Sequence, residues 1–514
     1  MFRSLLKNNI LRAYGTSLLG VFSGLLTNLW LLREITLVVP AHDFGIYAFV
    51  VQISAYLAIL QLGLDFAASR QIAECLGRHD LPAANRAFSD LWRFNLRIVW
   101  LGLPVVLGIA ALFWFGIGLK GPADLHTAHL AGEIALVAGA SQLVSFVARP
   151  FSAALIGSQI QATVNIVAVL RTVTTTFLAF GLLKSGCYIL SVPIAEVFTQ
   201  CLAFLVLRGV VHRNCRWREA AVETTAGSKR LSPMFKYGWL TSLGGVAWTI
   251  EAGMDVVILG YFTDAKTVAA YALWWRFPQM IFSLCSRLAD SAFPRFSHSF
   301  GSSPEAARAI FTKVTYLTLG LATLALVGIS FWLHPFVDLW IGAAYVGAQN
   351  AYLPLGMGLL VCLRACGNLL GMFWLASGRA EFTTVLAWIQ AALKIALAVW
   401  LVPRWGIMGI VAASCGSSLL QVVAMAIHLR GRDLLKAGLG VRALAFLAIA
   451  AVAASMSSRC SFAFGWTGLL AGAAATSLIW AGLWALMAAT GELRKPLTSL
   501  FMDAAKRFAL IKVG

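Results

Sequence analysis

Long apolar runs separated by short polar connections recur along the chain from residue 13 to residue 489. A hydrocarbon core about 30 Å thick requires about 20 apolar residues per helical span. By that measure about fourteen spans are predicted, at 13–38, 44–74, 96–119, 129–156, 160–182, 187–208, 237–261, 268–294, 311–335, 349–376, 381–402, 407–429, 441–458 and 464–489. The period-two alternation in ~10-residue segments that a membrane barrel needs is absent. The pattern predicts an all-α polytopic membrane protein. The runs 44–74 and 129–156 are longer than a bilayer requires, so tilt or kinks are expected there. The first run is too long for a signal-peptide core and reads as a retained helix.

The pattern also repeats. "GTSLLGV" at 15–21 lines up with "LTSLGGV" at 240–246, and "YAF" at 47–49 with "YAL" at 271–273. "LDFAASR" at 64–70 meets "ADSAFPR" at 289–295, and "AANRAF" at 83–88 meets "AARAIF" at 306–311. The offset stays between 222 and 225 residues, and "LLKSG" at 182–186 falls on "VPRWG" at 402–406 at offset 220. Spans one to six are therefore expected to be duplicated in spans seven to twelve. Because six is even, the halves share one orientation, and transporters built this way place substrate where the repeats meet. The expected organisation is an N-terminal six-helix half (1–208), a basic cytoplasmic linker (209–236), a second six-helix half (237–430), two extra helices (431–490) and an amphipathic cytoplasmic tail (491–514). The extra helices are rich in small residues, as in "LLAGAAATS" at 469–477, which suits helix packing in lipid. The tail sets Leu497, Leu500, Phe501, Phe508 and Ile511 among Lys506, Arg507 and Lys512.

Composition agrees with the pattern: 60% of residues are hydrophobic, 12% are charged and the mean hydropathy is +0.81. Soluble domains carry about 25% charged residues. The net charge of +19 raises the question of nucleic acid, but its distribution argues for topology. Of 40 Lys and Arg residues, 27 fall at the termini and in even-numbered connections. Six fall in odd-numbered ones: Arg33, Lys120, Lys184, Lys266, Arg404 and Arg459. That asymmetry is the positive-inside rule, with both termini cytoplasmic and no nucleic-acid partner. The nine cysteines are scattered without a CxxC pair. Cys362 and Cys366, one turn apart, suit core packing, and no metal site is expected. His334 and His428 are isolated, and no nucleotide-binding, metalloprotease or triad motif occurs, so catalytic residues and cofactors are not expected.

Seven cations remain inside the spans: Arg70, Arg149, Arg171, Arg276, Arg287, Arg364 and Lys394. A cation near the middle of a membrane helix costs roughly 3 kcal/mol or more, so each needs a reason. Asp65 with Arg70, and Asp290 with Arg295, recur at identical spacing and read as structural pairs. Arg287 and Asp290 share a helix face at i,i+3. Arg171 and Lys394 each lie at least about eight residues, ~12 Å at 1.5 Å per residue, from the nearer span end. Snorkelling covers only part of that distance, so they are expected to face a cavity or a buried carboxylate. Arg364 in "VCLRACG" and Arg149 before Pro150 follow the same logic. Glu251 and Asp255, i,i+4 in "WTIEAGMDVV", repel when both are ionised. They are candidates to carry a coupling H+ or Na+; the plainer alternative is that they neutralise Arg276.

The duplicated six-helix half, "FGIYAFVVQISAYLAILQLGLDFAASR" in span two and "LVPRWGIMGIVAAS" between spans eleven and twelve resemble the Wzx-type oligosaccharide flippases. Their superfamily, the multidrug/oligosaccharidyl-lipid/polysaccharide exporters, also holds the multidrug and toxin extrusion antiporters and the lipid II flippases. The resemblance covers roughly residues 10–490. It implies two six-helix repeats around a central cavity and transfer of undecaprenyl-pyrophosphate-linked sugars from the cytoplasmic to the external leaflet. O-antigen (lipopolysaccharide), capsule or exopolysaccharide synthesis would be served at a bacterial inner membrane, beside polysaccharide polymerase machinery and membrane lipids. Lipid II flippases carry cavity arginines that contact pyrophosphate, and Arg276 sits where the family often has a basic residue. The candidate anion-binding set is then Arg276, Arg171, Arg364, Lys394 and Arg149. Tyr271, Trp274 and Trp275 are candidates for stacking on sugar.

Two other classes compete. A cation-coupled extrusion antiporter usually has twelve spans and an acid-dominated cavity, whereas here intramembrane cations outnumber acids. A membrane glycan polymerase or ligase needs a long external loop or outward-facing catalytic residues, and the odd-numbered connections are all short.

Overall fold

A computed structural model describes residues 2–61, 64–117, 125–215, 232–302, 304–342, 351–377, 380–430 and 465–489, with the single positions 448 and 452. In lipid every backbone N–H and C=O must be satisfied within the chain, which helices do internally. The described residues form fourteen α-helices. They are α1 Phe2–Val38, α2 Ala41–Ala55, α3 Leu64–Gly77, α4 Leu81–Trp114, α5 Leu125–Gly157, α6 Gln161–Lys184, α7 Ser191–Asn214, α8 Ser232–Phe262, α9 Ala265–Ser302, α10 Pro304–Ile341, α11 Leu353–Ala376, α12 Ala380–Trp405, α13 Ile407–Arg430 and α14 Trp466–Ala489. Twelve described helical segments are long and apolar enough to cross a membrane. The eighth expected span, 268–294, lies within α9, whose Arg276, Arg287 and Asp290 make it more polar, although its 38 residues reach about 57 Å. The expected span at 441–458, most of the basic linker and the C-terminal tail lie outside the described residues.

Span two departs from a single helix. Helix α2 ends at Ala55, a 3-10 turn runs Tyr56–Gln61, and α3 begins at Leu64. The sequence places Gly63 at this point, and a glycine inside a helix costs about 1 kcal/mol relative to alanine. The segment that the repeat pairs with it carries Leu288 instead of glycine, and there α9 runs unbroken. Span four, α5, is continuous despite Pro150.

The chain divides into two compact units that do not follow the two sequence halves. The first comprises residues 1–273 and 384–410, the second 274–383 and 411–514. In the first unit α4 packs on α5, α5 on α7, and α1 on α6. Its core gathers Ile72, Phe88, Phe151, Leu155, Leu207 and Val211 from α3, α4, α5 and α7. Helix α2 approaches the start of α9 so closely that a Cβ on Gly45 would lie 1.8 Å from the carbonyl oxygen of Ala265. Small residues allow such approach in membranes, where burial in lipid gives no hydrophobic drive for helices to associate.

In the second unit α10 packs against α11 and α14. Its core contains Cys285, Leu326, Val327, Cys362, Ala365 and Trp480, with Cys366 against it. Helix α14, from the expected two-helix extension, docks through tryptophans. Trp480 Nε1 donates to Thr323 Oγ1 at 3.1 Å, and Trp484 Nε1 to the Tyr316 carbonyl at 2.9 Å. From the α10 side, Trp332 Nε1 donates to Thr476 Oγ1 at 3.1 Å, over a face kept open by Gly472. The expected small-residue face of this helix is therefore a seat for an indole ring.

Candidate functional site

Among the described residues, polar groups interrupt the apolar interior of both units. In the first unit one such group is built on α8. Glu251 and Asp255 are one turn apart on that helix, 4% and 1% exposed. Lys394, on α12 and 0% exposed, reaches both: its Nζ lies 3.1 Å from Glu251 Oε1 and 2.7 Å from Asp255 Oδ1. It also donates to the main-chain carbonyl of Glu251. Tyr271, at the start of α9, donates its hydroxyl to Asp255 Oδ2 at 2.7 Å. One turn of α8 thus presents three oxygens to one ammonium, and an ammonium has three N–H donors.

The break in span two lies against the same turn. A Cβ on Gly253 would be 2.2 Å from Gln52 Nε2 and 2.9 Å from the Tyr56 hydroxyl, so glycine is what admits these two polar side chains. Gln52 is in the last turn of α2 and Tyr56 opens the 3-10 turn. This juxtaposition of Tyr56, Gln52 and Gly253 carries no signal in the sequence.

Lys394 meets the second of its two expected partners, a cavity or a buried carboxylate: its ammonium is enclosed by Glu251 and Asp255, which corrects its place in the anion-binding set. Tyr271, a candidate for sugar stacking, is also corrected, being 2% exposed and engaged with Asp255.

The other first-unit candidates occupy half-buried positions. Arg149, on α5, pairs with Asp65 of α3 at 3.4 Å and lies 5.7 Å from the Phe146 ring centroid. Asp65 thus has a partner on the neighbouring helix; the side chain of Arg70, which the repeat spacing pairs with it, lies outside the described residues. Arg171, on α6, is within reach of the charge of Glu196 on α7.

The second unit holds Trp274, Trp275 and Arg276 on α9 and Arg364 on α11. The guanidinium of Arg364, on α11, sits 5.3 Å from the ring centroid of Trp275, a cation–π arrangement. Trp274 meets His334 of α10 edge to face at 5.7 Å. Both tryptophans are buried, so neither presents an open face to a sugar in this conformation; that expectation is corrected as well. Arg276 and Arg364 are half-buried. A guanidinium has a planar fork of donors, which suits phosphate oxygens.

The sequence signature of the family described as "Polysaccharide biosynthesis protein" matches residues 16–300. The fold is similar to that of a lipid II flippase, MurJ, in an inward closed conformation. The TM-score is 0.67 at 13% identity, over 94% of this chain and 98% of that one. It is also similar to an inward-facing multidrug resistance MATE transporter of the MOP superfamily, with TM-score 0.61 at 15% identity over 80% of this chain and 96% of that one. A MOP superfamily transporter from Pyrococcus furiosus gives 0.60 at 16% identity, over 84% and 97%. Among curated proteins no sequence matches.

Proposed function

Because the chain belongs to the polysaccharide biosynthesis protein family and has the fold of the MurJ and MATE transporters, we propose that it is a flippase. Its substrate is a lipid-linked oligosaccharide, carried on undecaprenyl pyrophosphate and moved from the cytoplasmic to the external leaflet by alternating access. The product feeds surface polysaccharide synthesis, with the polymerase machinery acting downstream. The observation that carries this reading is the pair Arg276 and Arg364. They are guanidinium groups held half-buried in membrane helices, one of them braced on Trp275. Cations in such places are rare and mark substrate paths, and a guanidinium presents the forked donors that a pyrophosphate accepts. A glycan polymerase is the less favoured reading, since the odd-numbered connections are all short.

Substitution of Arg276 or Arg364 by alanine should lower translocation of the lipid-linked sugar by about tenfold or more, because a charge-assisted bidentate contact is lost. Lysine at either position should restore part of the activity, having the charge without the fork. Accumulation of lipid-linked sugar in the cytoplasmic leaflet, with thermal stability recorded on the same samples, is the measurement. Alanine variants that are stable and fully active would remove these arginines from the mechanism.

The reading requires a multi-pass inner-membrane protein with both termini in the cytoplasm. Reporter fusions after Gly227 should behave as cytoplasmic and fusions after Gly121 as external. An external signal at 227 would overturn the orientation and the repeat together. The transport cycle is driven by an H+ or Na+ gradient through Glu251 and Asp255.

A further inference from the structure

The enclosed lysine bears on which ion that site takes. We infer that the Glu251–Asp255 turn is a monovalent-cation site already filled by the chain's own ammonium, so that Lys394 excludes sodium. The inference deepens the coupling role proposed above. Three observations carry it. Nζ of Lys394 is met by oxygens of three kinds within one helical turn: the Glu251 carboxylate, the Asp255 carboxylate and the Glu251 main-chain carbonyl. Carboxylate and carbonyl oxygens arranged around one point are what replaces the hydration shell of a bound alkali cation. The ammonium is 0% exposed, so a metal ion has no room beside it.

The third observation concerns the surroundings. The Tyr56 hydroxyl has no hydrogen-bond partner among the described residues, yet it presses on α8 at Gly253, between the two acids in sequence. The charge of Asp255 reaches it. Gly253 lies about half a turn round α8 from both acids, so this hydroxyl is not among the oxygens that face the ammonium. Tyr271 fixes the remaining oxygen of Asp255, which leaves Oδ1 directed at the cation. Lys394 acts as a specificity-determining residue: with it in place the coupled ion at this turn is a proton and not a metal.

The test is equilibrium binding of radiolabelled sodium to the purified full chain in lipid nanodiscs, with thermal stability in sodium chloride and in choline chloride at equal ionic strength. The wild type should bind no sodium specifically and melt at the same temperature in both salts. Lys394→Ala vacates the site and should bind about one sodium per chain. In about 100 mM sodium it should be stabilised by several degrees, since a ligand that binds only the folded state raises its stability by mass action. Should Lys394→Ala not fold in choline, recovery in sodium supports the inference. Lys394→Ala combined with Glu251→Gln lowers the buried negative charge and provides a second folded background for the same assay. Sodium binding by the wild type that Asp255→Asn abolishes would overturn the inference. So would lysine variants that are folded but indifferent to sodium, or that fail in both salts. None of these readouts uses a lipid-linked sugar, so their failure leaves the flippase reading standing. Conversely, loss of that reading leaves the binding result unchanged.

Discussion

Replacing Lys394 by methionine will destabilise the protein by about 3–5 kcal/mol, the cost of removing one partner from a buried charge pair. The substitution shortens the side chain by one atom and keeps most of its volume, so no large cavity forms. What changes is charge: two carboxylates, 4% and 1% exposed, lose the ammonium that lies 3.1 and 2.7 Å from them. Restoring neutrality should restore stability. The triple variant Lys394→Met, Glu251→Gln, Asp255→Asn should recover most of the loss, because replacing a buried ion pair by uncharged groups is often neutral. Melting temperatures and folded yield after detergent extraction, in sodium-free buffer, measure both. A single Lys394→Met variant that melts like the wild type would show that the acids do not depend on this lysine.

Gly45→Val is the second large effect, and its cause is steric. Even the first carbon of a side chain at Gly45 would stand 1.8 Å from the carbonyl oxygen of Ala265. That oxygen belongs to the backbone, so no rotamer change relieves the clash; α2 and the start of α9 must separate. Overpacking typically costs about 1–3 kcal/mol, and a rigid backbone neighbour puts this site at or beyond the upper end. Gly181 in α6 is the control, having nothing within 4 Å of a Cβ. Gly181→Ala should gain about 0.5–1 kcal/mol through helix propensity, whereas Gly45→Ala should lose stability. Equal melting temperatures for the two alanine variants would mean that α2 and α9 are not in close contact.

The two predictions rest on different kinds of information. Lys394 was conspicuous in the sequence because a lysine so far inside an apolar run must meet either a cavity or an acid. The choice between them was not legible. Glu251 lies 143 residues away, and which helix faces which depends on packing that periodicity does not report. The same holds for Asp65, whose partner Arg149 is 84 residues distant. Trp274, Trp275 and Tyr271 read as sugar platforms because aromatic rings in a membrane helix serve interfaces, stacking and cores alike. Burial alone separates these roles. Gly45 and Gly253 were two glycines among 45; only coordinates show that a carbonyl oxygen, an amide and a phenol occupy the space a side chain would need.

The sequence by itself determined that this is a helical membrane protein of the polysaccharide biosynthesis family. Hydrocarbon demands long apolar runs with internally satisfied backbones, and that demand is written residue by residue. It also determined that charge inside those runs must be answered, because the cost of burial does not depend on the fold. The tertiary structure decided who answers it. Helix rotation and crossing brought Lys394 onto the Glu251–Asp255 turn and Arg364 onto Trp275. The break after Ala55 set Tyr56 and Gln52 against Gly253. Each is a short-range contact between segments far apart in the chain, and its energy depends on distances that only packing sets.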